Sequence, residues 1–341
     1  MIISDVGCLI DFINQTSDIR NQTSNIHPMI QYFKNINGQT VEINKGDRDV
    51  WVNLVPPFKE EEFIELSEGL DIPIEFLRDS LDIDERPRYE IEDNVRFVVI
   101  KTPTENNSFN DSDAFYITIP ICIILTHTQI VTVNSFDNGA IKKFLNSFQK
   151  RHPDKKNMMI LKVFEKVVQN FMEFLKEINH RRNQYETSLY ESNSNVDLLN
   201  LMRIQKSLVY FVTALRSNEM LMMKLERTNF LGLNEEEREF LNDLIVDTSQ
   251  ALEMANIYTN ILTSTLDAFA SIISNNLNNV MKRLTSITII LSLPVMVASL
   301  YGMNVDNIPW AHSPYAFYVP IGLSIAIAIV ISWYFMKKKW F

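Results

Sequence analysis

The sequence predicts an α+β cytoplasmic domain followed by long stalk helices and two C-terminal transmembrane helices. Three observations carry this. Up to about residue 153, short apolar patches alternate with Gly, Pro and Asn punctuation, the pattern of strands and short helices. Beyond Pro153 the chain turns to long helical periodicity with few breakers. It then closes on two apolar runs that hold no charged residue. The predicted division is 1–153 for the α/β domain, 154–283 for the helical stalk, 284–304 for the first span, 305–314 for an outer loop, 315–336 for the second span and 337–341 for a basic tail.

Residues 1 to about 50 are rich in Asn, Gln, Ser and Thr. Patches such as Met29-Ile30-Gln31-Tyr32-Phe33 read as strands, with turns at Asn37-Gly38 and Lys45-Gly46. Trp51-Val52-Asn53-Leu54 predicts a strand that Pro56-Pro57 breaks. The spacing of Phe63, Leu66 and Leu70 predicts an amphipathic helix over 59–69, and Pro73 opens another over 74–81. Strands are predicted over 95–101, 114–125 and 129–134, the last two joined through Thr126-His127-Thr128-Gln129. A helix over 138–150 closes the domain.

Helices over 158–192 and 197–230 follow, parted at Ser192-Asn193-Ser194-Asn195 and ended by Leu231-Gly232-Leu233. Asn234 is the predicted N-cap of the next, with Glu235, Glu236 and Glu237 in the turn where the helix dipole favours anions. From there no Gly or Pro occurs until Pro294. A helix over 235–304 has about 70 residues and a length of about 105 Å, so only part of it fits a bilayer. The stretch 284–304, about 21 residues, matches a hydrocarbon core of roughly 30 Å. Lys282 and Arg283 precede it, Lys337, Lys338 and Lys339 follow the second span, and the loop between has neither Lys nor Arg. The positive-inside rule then puts the loop outside and both termini in the cytoplasm. Asp5 and Asp11 interrupt any apolar signal-peptide core, in keeping with a cytoplasmic first domain.

Composition narrows the function. Asp plus Glu number 42 against 32 Lys plus Arg, a formal charge of -10, which argues against nucleic-acid binding and suits either cation attraction or a solvated acidic surface. Cys8 and Cys122 are far apart, so neither a disulfide framework nor a cysteine metal site is expected. The eight glycines form neither a GxGxxG nor a Walker A sequence, and the five histidines form no HExxH. No paired carboxylates or Ser-His-Asp arrangement can be argued from spacing, so no enzyme and no organic cofactor are expected.

Tyr301-Gly302-Met303-Asn304 at the end of the first of two C-terminal spans, a short loop, and a terminal Lys337-Lys338-Lys339-Trp340-Phe341 together resemble the CorA family of divalent metal-ion channels. The resemblance covers the architecture of the whole chain, with its motifs mostly in the last third. It implies a homo-pentamer in the inner membrane of a prokaryote that imports Mg2+, with Co2+ and Ni2+ as further cargo, and that intracellular Mg2+ closes. One departure stands out: many members have Met-Pro-Glu-Leu in the loop, where this chain has Asn307-Ile308-Pro309-Trp310, and Asp306 is the only carboxylate there. Two other readings remain open: a Zn2+ transporter resembling the ZntB branch, and a membrane-anchored sensor that binds a divalent ion without conducting it.

Two spans per chain are too few to enclose a hydrated ion, so several chains must surround an axis. Stepping back from Asn304 at helical spacing gives Ser299, Val295, Ser292, Thr288, Leu284, Met281 and Asn278, a mixed polar and apolar stripe. Pore lining and helix packing both suit such a stripe, and Leu284 and Met281 as apolar rings could gate by excluding water. Mg2+ dehydrates reluctantly, so a ring of neutral Asn304 amides is suited to its outer hydration shell. Gly302 permits close backbone approach, which with Met303 and Asn304 makes the expected selectivity filter. The competing reading of Asn304 is a helix C-cap. The resemblance also assigns a regulatory cation to Asp79, within the acidic stretch 77–90, and to Asp267, an isolated carboxylate on the stalk. Two carboxylates from neighbouring subunits repel when bare and are bridged by Mg2+.

Overall fold

The structure, a computed structural model, describes residues 29–36, 39–43, 50–55, 58, 60–106, 113–134, 156–192, 195–303, 314–315, 317–338 and 340. It divides into two compact units, Met1–Leu262 and Thr263–Phe341. In the first unit the described strands β1 (Met29–Ile36), β2 (Gln39–Ile43), β3 (Trp51–Val55), β4 (Arg88–Glu92), β5 (Val95–Glu105), β6 (Tyr116–Leu125) and β7 (Ile130–Asn134) form one sheet in the order β2-β1-β3-β7-β6-β5-β4. All neighbours are antiparallel except β3 and β7, whose parallel register runs from Trp51 opposite Ile130 to Leu54 opposite Val133.

Alternation along the strands divides the core in two. Phe97, Val99, Cys122, Ile124, Val131 and Val133 share one face with the helices α1 (Glu60–Leu70) and α2 (Ile74–Asp79). Phe63, Leu66 and Leu70 are the buried side of α1, the face that their spacing predicts. On the opposite face lie α3 (Lys156–Ser192) and α4 (Asn195–Thr228), which pack on β5 and β6. Phe171, Phe174, Phe211 and Tyr116 form an edge-to-face cluster there, with Phe171 and Phe211 at 5.4 Å and Tyr116 and Phe174 at 5.0 Å. The Tyr116 hydroxyl is pushed up to about 12 by this burial.

Strand β5 runs four residues beyond the expected 95–101, through Pro103 to Glu105. The register explains how a proline is admitted. β4 pairs with β5 only as far as Val99, so Pro103 lies past its partner on that side, while β6 pairs on to Tyr116 opposite Glu105. Amides from the helices replace the missing strand. Asn218 accepts from the Lys101 N–H at 3.0 Å and donates to its carbonyl at 2.7 Å. Asn170 donates to Thr102 Oγ1 at 3.2 Å and to the Pro103 carbonyl at 3.0 Å. Both amides are 1 % exposed, so without them these backbone groups would lack partners away from water. The segment 126–129 joins β6 to β7 as expected, with Thr126 N–H donating to the Gln129 carbonyl at 3.0 Å. The expected helix over 138–150 lies outside the described residues, as do the turn residues Asn37, Gly38, Lys45 and Gly46.

The helix α5 (Glu235–Tyr301, 67 residues) begins in the first unit and ends in the second. Its start is a reciprocal capping box: Glu237 N–H donates to Asn234 Oδ1 at 2.9 Å, and Asn234 N–H donates to Glu237 Oε2 at 3.0 Å. Ahead of it the chain turns through Asn229 (φ 46) and Gly232 (φ 65), left-handed positions that end α4. The second unit holds the rest of α5 and the helix α6 (Tyr318–Lys337).

Candidate functional site

Two groups of residues carry the expected chemistry, one in each unit. In the second unit both helices are long and apolar enough to cross a membrane. Their apolar side chains point outward: Leu284 is 56 % exposed, Val295 68 % and Ile329 63 %. The hydroxyls instead turn back onto their own helices. Ser286 donates to the Lys282 carbonyl at 2.8 Å, Thr288 to Leu284 at 2.9 Å, Ser292 to Ile289 at 3.0 Å and Ser324 to Pro320 at 2.7 Å. Thr187, Thr213 and Ser217 of the first unit make the same bonds, so this arrangement is compatible with a hydrocarbon solvent and is not peculiar to it.

The stripe Asn278, Met281, Leu284, Thr288, Ser292, Val295 and Ser299 lies on α5 and is exposed along its whole length. Pro294 sits inside the same helix, where it removes one ladder hydrogen bond. Pro294 and Ala298 of α5 and Pro320, Ile321, Ser324, Ile325, Ala328, Ile329 and Ser332 of α6 border an open, mostly apolar cavity of about 540 Å³. Gly302 N–H donates to the Ala298 carbonyl at 3.0 Å, which ends the helical ladder one residue past Tyr301. A Cβ on Gly302 would meet the Ala298 oxygen at 3.4 Å, ordinary contact, so its own helix does not require a glycine there. Met303 is 52 % exposed, and Asn304, Asp306 and His312 lie outside the described residues. At the other end of α6, Lys337 Nζ lies 5.2 Å from the Trp333 ring centre, and Trp340 stacks on Phe335 at 5.2 Å. Aromatic rings beside lysines mark a membrane–water boundary.

In the first unit Asp79 is the last residue of α2. The structure brings it together with Arg88, whose Nη2 donates to Asp79 Oδ2 at 2.6 Å. Arg88 also donates from Nε to Glu85 Oε1 at 2.8 Å and from Nη1 to Glu90. Partial burial holds the Asp79 carboxyl above the usual aspartate range; Arg88 opposes this, while Glu85, Glu90 and Asp82 add to it. Asp267, its expected counterpart, is exposed on α5 within the second unit, its carbonyl accepting from Ser271 Oγ at 3.0 Å. Among the described residues no three His, Cys, Asp or Glu side chains come together as a metal site. Sequence reasoning missed Arg88 and the strand β4 that carries it, because 88–92 is charged and neither face of it is buried. The available signal was Glu85 three residues before Arg88 in an acidic stretch.

The fold and these groups define a class: an α+β protein whose C-terminal unit is a pair of membrane-length helices ending in Gly302 and Met303 on one side and a basic, aromatic tail on the other. The chain belongs to the CorA family: the profile described as CorA-like Mg2+ transporter protein matches residues 47–339. It is 25 % identical over 296 residues to the cobalt/magnesium transport protein CorA of Methanocaldococcus jannaschii, covering 86 % of this chain and 92 % of the relative. With the protein of the same name from Thermotoga maritima it shares 22 % identity over 318 residues, 91 % of this chain and 90 % of that one. The complete structure of the CorA magnesium transporter from M. jannaschii superposes with a TM-score of 0.80 at 23 % identity, covering 93 % of this chain and all of that one. That likeness extends to the α+β unit, the long helix and the two apolar C-terminal helices.

Proposed function

We propose that this protein is a homo-pentameric, gradient-driven importer of Mg2+ across the cytoplasmic membrane, with Co2+ and Ni2+ as further cargo, and that intracellular Mg2+ closes it. The observation that carries the reading is the stripe on α5 that leads to Gly302, Met303 and Asn304, exposed throughout in one chain of a CorA-family protein. Two helices enclose no path, and a ring of copies with this stripe turned inward does. Thr288, Ser292 and Ser299 then offer hydroxyl oxygens to the water shell of the ion, and a ring of Asn304 amides meets that shell at the outer mouth. Gly302 lets neighbouring backbones approach at the same level. Leu284 and Met281 form the apolar rings that exclude water when the path is shut. The ion gradient and the membrane potential drive the ion, the latter supplying about 2.3 kcal/mol per charge per 100 mV.

Closure by Mg2+ follows from electrostatics at Asp79 and Asp267 of adjacent copies. Bare carboxylates repel and a hydrated Mg2+ bridges them, so a cell replete in Mg2+ holds the ring in one arrangement. In this reading 1–153 and 154–283 are the cytoplasmic sensor and stalk, and both termini are cytoplasmic.

The test is ion entry into proteoliposomes under an inside-negative potential, with Mg2+, Co2+ and Zn2+ compared and Asn304→Ala alongside. Mg2+ entry that Asn304→Ala abolishes, or strips of selectivity, is the expected result. Entry of Zn2+ alone would replace the reading with a Zn2+ transporter, and no entry of any ion through an assembled oligomer would leave a sensor.

A further inference from the structure

Three carboxylates converge on one guanidinium where α2 ends. Arg88 reaches Asp79 at 2.6 Å, Glu85 at 2.8 Å and Glu90, one through each of its three nitrogens. Its guanidinium carbon also lies 5.2 Å from the centre of the Phe97 ring. Phe97 in turn stacks at 4.5 Å on Phe76, three residues before Asp79 on the same helix. Only one of these contacts involves the carboxylate assigned to the regulatory ion. If Asp79 is released, Glu85, Glu90 and the Phe97 ring still hold Arg88 beside the oxygen it has left. A tethered cation acts at a high effective concentration, which a dissolved ion must outcompete.

We propose that Arg88 is a built-in competitor for the regulatory Mg2+ and sets the intracellular Mg2+ concentration at which the channel closes. This rests on the reading of Asp79 as a regulatory ligand. Removal of the guanidinium acts twice in the same direction. It frees the Asp79 oxygen, and it leaves three carboxylates without their cation, which strengthens attraction for a divalent ion. The pair is partly exposed, with side-chain exposures of 33 % and 40 %, so the effect is modest. Arg88→Gln is expected to lower the half-inhibitory Mg2+ concentration by about two- to fivefold, the scale of an exposed ion pair.

The experiment records current through excised patches while Mg2+ is titrated on the cytoplasmic face, for the intact full-length channel and for Arg88→Gln, Arg88→Lys and Asp79→Asn. Arg88→Lys keeps the charge and gives up the fork, so its midpoint should stay within about twofold of wild type. A lowered midpoint in Arg88→Gln with rescue by Arg88→Lys supports the proposal. A raised midpoint in Arg88→Gln overturns it, because Arg88 would then position Asp79 for the ion. An equal shift in both Arg88 variants overturns it as well, since fork geometry and not charge would matter; if Arg88→Gln does not assemble, Arg88→Met, which also lacks the charge, is read in its place. If Asp79→Asn shifts the midpoint and Arg88→Gln does not, the proposal fails and the Asp79 reading stands. If Asp79→Asn leaves the midpoint in place, the Asp79 reading fails and takes this proposal with it.

Discussion

The two units use the same aliphatic residues in opposite ways. In the first, Val52, Leu77, Phe97 and Ile121 are at most 1 % exposed, and polar groups at that depth satisfy one another: Trp51 Nε1 donates to Thr132 Oγ1, which donates to Asn53 Oδ1, both at 2.9 Å. In the second, Leu291 is 65 % exposed and Val295 68 %, while Ser286 is fully buried. An apolar surface of that extent in water marks an interaction site or an aggregation hazard. In hydrocarbon it is the ordinary outer surface, and the backbone and hydroxyl groups are what must be covered. Identical side chains thus become core or exterior according to the solvent, and what assigns them is the polarity of the residues between them. Polar segments such as Asp93-Asn94 and Thr126-His127-Thr128-Gln129 separate the strands of the first unit, whereas α6 has no charged residue before Lys337.

The largest expected effect breaks the inside of the first unit. Phe97 stacks on Phe76, carries the Arg88 guanidinium and is fully buried. Phe97→Ala should destabilise that unit by about 3–5 kcal/mol, read as a drop in the denaturant midpoint by circular dichroism. The next contrast exchanges the solvents directly. Ile329→Arg near the middle of α6 should cost about 3 kcal/mol of membrane insertion, seen as loss of protein from the membrane fraction. Ile64→Arg on the exposed side of α1, where Ile64 is 47 % exposed, should change stability by less than about 0.5 kcal/mol. Equally small changes at the two positions would mean that this face of α6 meets water and not hydrocarbon.

What the sequence disclosed follows the range of the interactions. The apolar face of α1 and the cap at Asn234 depend on residues within a turn or two, and each stands where local spacing put it, while the two long uncharged runs fall in helices of membrane length. The continuation of β5 through Pro103 was not legible, because the groups that admit it, Asn170 and Asn218, come from helices 67 and 117 residues later. The Arg88 cluster was hidden for a related reason. Asp79 lies at a helix end and Arg88 at the start of a strand, and only the turn between them sets their distance. Gly302 and Met303 were legible as a motif tied to a helix end, and the helix does end there. In the proposed ring of copies, the face of α5 that turns to the ion path is set by neighbouring chains, and no spacing within one copy decides it.

The smallest contrast sets those two ranges against each other. Asn218 and Asn234 each use a carboxamide on backbone groups, one across 117 residues and one across three. Asn218→Ala leaves both the N–H and the C=O of Lys101 without a partner at a buried strand edge, and Lys101 itself is held below the usual lysine range by burial. Loss of a buried partner costs about 1–3 kcal/mol per orphaned group, so about 2–3 kcal/mol is expected at this partly screened edge. Asn234→Ala frees one N–H at a helix start where water can replace the side chain, for about 1 kcal/mol. Denaturant titration of the two variants under one set of conditions gives the ratio. A larger loss for Asn218→Ala means that long-range amides secure the sheet edge on which α4 packs. A larger loss for Asn234→Ala would instead make the start of the long helix the weak point of the first unit.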